Sequence, residues 1–200
     1  MKSNGAKKIA VVGMFSALSV VLSLIGKIIP SVAGFLDYDP KDVVVVICGF
    51  MLGPLYALAV SLVSSFIEFI SFSTSGIIGF LMNVLSTASF ACIASLIYKR
   101  KRSFKTAIAG LIAGVFLMTL SMVLWNIIVT PHYMHVPRET VIGMLPTVFI
   151  PFNLGKGAVN AVLTVVLYKP LVKALRRIHL VDERKSDDKK KGKDGKNTRI

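Results

Sequence analysis

The sequence predicts an all-α membrane protein, a six-transmembrane-helix bundle with both termini cytoplasmic, and three observations carry that prediction. Of its 200 residues, 54% are hydrophobic, and the mean hydropathy of +0.71 lies well above that of an ordinary soluble domain. The apolar residues gather into runs near the length of a bilayer crossing. Lysine and arginine collect near the amino end, in 99–105 and after the last run, positions that the positive-inside rule assigns to one side. A chain of this size holds one compact bundle, so residues 1–175 are expected to form the membrane domain and 176–200 a cytoplasmic tail.

The apolar runs occupy 9–29, 43–72, 76–98, 106–130 and 146–171. The first follows Lys7 and Lys8, is long for a signal-peptide core and has no convincing small-residue cleavage site, so it is expected to be a retained helix. The second is too long for one untilted crossing of about 20 residues, and Gly53-Pro54 interrupts it where a helix should stop. Charge resolves the count. One crossing over 43–72 would put "KRKRSFK" (99–105) outside, whereas two, one of them short, put it inside beside both termini. The expected outside loops then carry little positive charge: "FSTSG" (72–76) has none, "PHYMHVPRETVIG" (131–143) has Arg138, and "PSVAGFLDYDPKD" (30–42) is net acidic.

Part of the net charge of +14 lies in the tail, where 176–200 carry ten Lys or Arg against five acids with few apolar residues. Such a segment is expected to stay solvated and disordered, its charge suited to the lipid bilayer's anionic headgroups. No aromatic residue is interleaved with the charges, so no nucleic-acid partner is expected. Cys48 and Cys92 sit inside apolar runs without metal or redox spacing and read as packing residues.

The last run contains the most expensive residue. A lysine near the centre of an apolar helix costs about 2.5–3.5 kcal/mol on insertion scales, yet "PFNLGKGAVNAV" carries Asn153, Lys156 and Asn160. Snorkelling of Lys156 is one explanation. The spacing i, i+3, i+7 favours another, because it puts all three on one face that points to a wet cavity. Asn160 has the further option of bonding a neighbouring helix. Asn126, beside Trp125 in the preceding run, matches Lys156 in depth. Two carboxamides and an ammonium offer donors in excess plus carbonyl acceptors, a set suited to a neutral heterocycle with alternating carbonyl and N–H groups. Asn83 is divided between the same cavity and a helix-to-helix bond. Glu68 is expected to pair with a loop base or to meet water.

Signatures of catalysis are missing. "LGKG" lacks the earlier glycine and the following Ser or Thr of a phosphate loop, and no GxSxG, HExxH or dinucleotide fingerprint occurs. His132 and His135 have no carboxylate or cysteine in register for a metal. The expected protein is not an enzyme and needs no cofactor. The first run has a seam of small residues, Ala6, Ala10, Gly13, Ser16 and Ala17, open either to intramolecular packing or to a separate subunit.

Four segments, "FLDYDPKD" (35–42), "GFMLGPLYAL" (49–58), "SGIIGFLMN" (75–83) and "LPTVFIPFNLGKGAVNAV" (145–162), resemble the riboflavin-binding S components of energy-coupling factor (ECF) transporters, over about residues 7–175. The resemblance implies a six-helix protein of the bacterial cell membrane that captures riboflavin from outside, closes the loop between its first two helices over it, and delivers it inward. Its implied partners are a transmembrane coupling subunit and two ABC-type ATPases, which drive release by toppling the S component in the membrane. It implies flavin contacts by Asn126, Asn153 and Lys156, and a docking face at Gly13 and Ala17, where glycine replaces the more usual first alanine. On this reading an asparagine amide and the lysine meet the carbonyl and N–H edge of the isoalloxazine ring. Phe35, Leu36 and Tyr38 are candidates for a lid over its faces, Trp125 a further one, and Asp39 a partner for the ribityl hydroxyls. Acceptance of flavin mononucleotide is left open, as are two rivals: an S component for another small vitamin, and a stand-alone secondary transporter with Glu68 as its ion-coupling group.

Overall fold

The computed structural model describes residues 3–32, 34, 36–72 and 75–177; Phe35 and the tail beyond Arg177 lie outside them. Every regular element is helical: α1 (Ser3–Gly26), α2 (Lys41–Leu52), α3 (Pro54–Ser71), α4 (Gly76–Arg100), α5 (Phe104–Ile128), α6 (Thr130–Met134), α7 (Arg138–Met144), a π-helical segment (Leu145–Phe149) and α8 (Ile150–Arg177). Among the described residues five stretches suit a membrane crossing by length and composition: Gly5–Gly26, Pro54–Ser71, Gly76–Arg100, Phe104–Ile128 and Arg138–Tyr168. The chain forms two compact units, 1–166 and 167–200. The described part of the second, 167–177, is helical and contains Pro170.

The 43–72 run divides where the sequence places the break. Gly53 ends α2 at φ 113°, a value that favours glycine, and Pro54 opens α3 in the first turn, where its missing N–H costs nothing. The resulting α2 has only 12 residues, about 18 Å of helix. It packs against α1, α3 and α4, and Val45, Val46, Ile47 and Cys48 are almost fully buried. It is the core of the bundle. Large apolar side chains point outward instead, among them Leu55, Phe66, Phe116 and Val162, the reverse of a water-soluble surface and the arrangement lipid demands.

Close helix approach comes from a small-residue motif inside the bundle. A Cβ at Gly110 would lie 2.6 Å from the Ala94 carbonyl oxygen, and one at Gly114 2.7 Å from that of Phe90. This GxxxG pair therefore seats α5 directly on the α4 backbone. The seam on α1 behaves differently: Ala6, Ala10, Gly13 and Ala17 are exposed, and a Cβ at Gly13 would meet nothing. Ser16 faces the other way and is buried.

The segment 131–143, expected as a loop, is largely helical. Pro131 lies in the first turn of α6, His135 ends that helix in the left-handed region at φ 54°, and Pro137 precedes α7. Pro146 then offers no N–H to the helical ladder, and the chain passes through the π segment before α8 begins.

Candidate functional site

The described residues of the segment 27–40 roof a cavity at one end of the bundle. Val32 and Leu36 exchange backbone hydrogen bonds at 2.8 and 3.0 Å, with Gly34 at φ 81° between them. Leu36 then buries its side chain against Val141, Leu145 and Phe149. Below the roof are two adjoining chambers of about 110 and about 310 Å³. They share Leu36, Asp37, Ser75, Gly79 and Met82 as walls. Together they reach the lower end of the range for small-molecule pockets, about 300–1,000 Å³.

The smaller chamber is strongly polar. Asn153 and Lys156 line it from α8, Asn83 and Ser86 from α4, Ser65 and Glu68 from α3, and Tyr38 and Asp39 from the roof. The larger one is bordered by Trp125, Asn126 and Thr130, by Tyr133 and Met134 of α6, and by Phe149. Asn126, Asn153 and Lys156 therefore all border the cavity, but in two chambers rather than one ring of donors. Each asparagine spends one N–H on its own helix: Asn126 donates to Met122 O at 2.7 Å and Asn153 to Phe149 O at 2.8 Å. Asn126 Oδ1 also accepts from Thr130 at 2.8 Å. The remaining amide N–H and a carbonyl lone pair on each are spare capacity for a ligand.

Lys156 has a counterion that the spacing argument did not supply. Its ammonium lies 3.5 Å from Asp42 Oδ2, with side-chain exposures of 8% and 0%. A second buried cluster stands beside it. Lys41, fully buried, donates to both oxygens of Glu68 at 2.6 Å and to Ser65 at 3.2 Å, and lies 3.2 Å from Asp39. Ser23 shares its proton between Glu68 Oε1 (2.7 Å) and Asp39 Oδ1 (2.9 Å), while Asn83 Nδ2 donates to Glu68 Oε2 at 2.6 Å. The expected excess of donors is thus corrected: Asp37, Asp39, Asp42 and Glu68 stand against Lys27, Lys41 and Lys156. Glu68 does pair with a base, Lys41, and both options weighed for Asn83 hold, since it borders the cavity and bonds α3.

Asn160 departs from its expected role. It borders neither chamber. Its amide donates to Asp42 Oδ2 (3.1 Å) and Asp39 O (3.2 Å) and accepts from the Tyr38 hydroxyl (2.7 Å). Of the two options for this residue, the bond between elements is the one formed: it ties α8 to the roof and to α2. Tyr38 itself borders the smaller chamber. Burial and the Asp42 charge push its phenol above its ordinary value, so it remains a donor.

The roof carboxyls titrate low. Burial pushes Asp37 up, but hydrogen bonds from Lys27 and Ser31 and the Lys27 charge outweigh it and hold the group below its ordinary 3.8. At Asp39 burial is again opposed, here by the charges of Lys41 and Lys156, the Lys41 backbone N–H and the Ser23 hydroxyl, and the result is also a lowered value. Ser86, which the sequence reading passed over, lines the smaller chamber with a buried hydroxyl lacking any partner among the described residues. No local signal could have marked it, since a serine in an apolar helix usually bonds its own backbone. Elsewhere His132 Nδ1 lies 3.0 Å from Ile128 O, and among the described residues no group of three or more His, Cys, Asp or Glu could hold a metal ion.

A helical membrane bundle enclosing a roofed, mixed-polarity cavity defines a substrate-binding membrane protein. The family model for the substrate-specific component of ECF transporters matches residues 7–168, and the chain belongs to that family. It is similar to the riboflavin transporter RibU of Staphylococcus aureus (strain TCH60), 33% identical over 178 residues that cover 86% of this chain and 94% of that protein. It is also similar to the riboflavin transporter FmnP of Bacillus subtilis (strain 168), 27% identical over 87% of this chain and 98% of the relative. A solved S component of a bacterial ECF transporter superposes with a TM-score of 0.73 at 33% identity, covering 86% of this chain and 98% of that one.

Proposed function

We propose that this chain is the riboflavin-specific S component of an ECF importer: it captures the vitamin under the 27–40 roof and delivers it inward after docking to a coupling subunit carrying two ABC-type ATPases. The proposal includes six crossings of the bacterial plasma membrane, with α2 as the short one, both termini cytoplasmic, and 176–200 as a basic cytoplasmic tail. The names of two relatives, both riboflavin transporters, support it. So does the observation that carries it most directly: three groups able to read a heterocycle's edge, Asn126, Asn153 and Lys156, border one roofed cavity with hydrogen-bonding capacity to spare.

In this reading Asn126, Asn153 and Lys156 meet the polar edge of the flavin, and Leu36, Tyr38 and Trp125 give apolar cover to its ring. Phe35 is retained as a lid residue on the sequence alone. Asn83 faces the vitamin's polar chain. Gly13 and Ala17, on the open seam of α1, form the surface that the coupling subunit covers. Ion coupling through Glu68 is disfavoured, because Lys41 already holds both of its oxygens.

The decisive experiment is a riboflavin titration of the purified protein followed by flavin fluorescence. Saturable, one-to-one quenching is the expected result, and a preparation that is colourless and ignores added riboflavin would return the choice to another small vitamin.

A further inference from the structure

Asn160 is fully buried and lies one turn beyond Lys156 on the same face of α8, yet it does not border the cavity. All the hydrogen bonds of its side chain run to groups far away in sequence. Its oxygen accepts from Tyr38 Oη at 2.7 Å, and its nitrogen donates to the Asp39 carbonyl at 3.2 Å, so it holds both a side chain and the backbone of the roof. The same nitrogen donates at 3.1 Å to Asp42 Oδ2, the atom that faces the Lys156 ammonium at 3.5 Å. The other Asp42 oxygen is taken by Thr87 at 2.6 Å. One carboxamide, a donor and an acceptor at once, therefore joins the roof to the counterion of the cavity lysine.

We infer that Asn160 is a positioning residue that couples closure of the 27–40 roof to the placement of Lys156, and so sets how long riboflavin stays bound without touching it. The physical reason is the pair of bonds that closure makes. When the roof lifts, Tyr38 and Asp39 leave the amide, so opening breaks two hydrogen bonds held by one fully buried side chain. The loss of roof contacts also loosens the clamp on Asp42, and through it the aim of Lys156. The inference rests on the proposed riboflavin site.

The test is the rate of riboflavin release, measured by stopped-flow flavin fluorescence on the full chain in detergent. Tyr38→Phe keeps the ring and removes one hydroxyl; it is expected to raise koff roughly 2- to 10-fold, the range of one buried neutral hydrogen bond, with kon unchanged or faster. Asn160→Ala is expected to raise koff further, and adding Tyr38→Phe to it is expected to change nothing more, because both remove the same bond. If Asn160→Ala does not fold, Tyr38→Phe carries the test alone. An unchanged koff in Tyr38→Phe, or effects that simply multiply in the double variant, would overturn the inference. Absence of riboflavin binding by the wild-type protein would overturn the functional proposal beneath it, a distinguishable result.

Discussion

Ion pairs at the cavity have two different jobs. Lys41 and Glu68 satisfy each other almost completely, with Ser23, Ser65 and Asn83 taking what remains, and removing one partner of such a pair costs about 3–5 kcal/mol. Lys156 is held more loosely, by a single carboxylate at 3.5 Å, which leaves N–H groups for a ligand. Lys156→Ala and Asn153→Ala are therefore expected to weaken riboflavin binding, by roughly 10- to 100-fold for the charged donor and less for the amide, without unfolding the protein. Unchanged affinity in both, by fluorescence titration, would remove the pocket as assigned. The roof carboxyls give a pH prediction. Asp37 and Asp39 titrate lower in the folded protein than their ordinary 3.8, so their contribution is present above that value and fades as pH falls through the folded values. The thermal midpoint in detergent should drop as the pH falls below 3.8, and by a smaller step in Asp37→Asn.

Two glycine motifs on two helices have opposite duties, and only their surroundings tell them apart. Gly110 and Gly114 let α5 touch α4 carbonyl oxygens, whereas Gly13 and Ala17 leave an open groove on α1. Gly114→Leu should therefore abolish a monodisperse, folded protein in size-exclusion chromatography. Gly13→Leu should leave folding and riboflavin binding intact while blocking assembly with the coupling subunit in a co-purification. Normal assembly of Gly13→Leu would remove the docking surface from α1. At the other end of the chain, Pro146 places a π-helical segment immediately before α8, and Asn153 anchors to a carbonyl within that segment, Phe149 O.

As a whole the molecule is a substrate-specific component of its family. Its buried carboxylates and amines are engaged with one another, which leaves no free acid in the core among the described residues to couple transport to an ion gradient. Proteoliposomes containing this chain alone are expected to bind riboflavin and not to accumulate it under a proton or sodium gradient. Gradient-driven uptake of radiolabelled riboflavin would revive the secondary-transporter reading.

Much of the fold was legible in one dimension. Hydropathy marked five long helices, and Gly53-Pro54 marked the end of α2, because lipid and backbone geometry act on residues near each other in sequence. The stripe Asn153, Lys156 and Asn160 was also legible, since helical periodicity alone sets it, and all three are buried. What periodicity could not supply was the partner of each group. Asp42 beside Lys156 and Tyr38 on Asn160 are pairs made by folding distant parts of the chain together, and Lys41 against Glu68 joins two separate helices. Electrostatic pairing depends on distance in space, and that distance exists only once the short central helix has drawn the roof and α8 to the same end of the bundle.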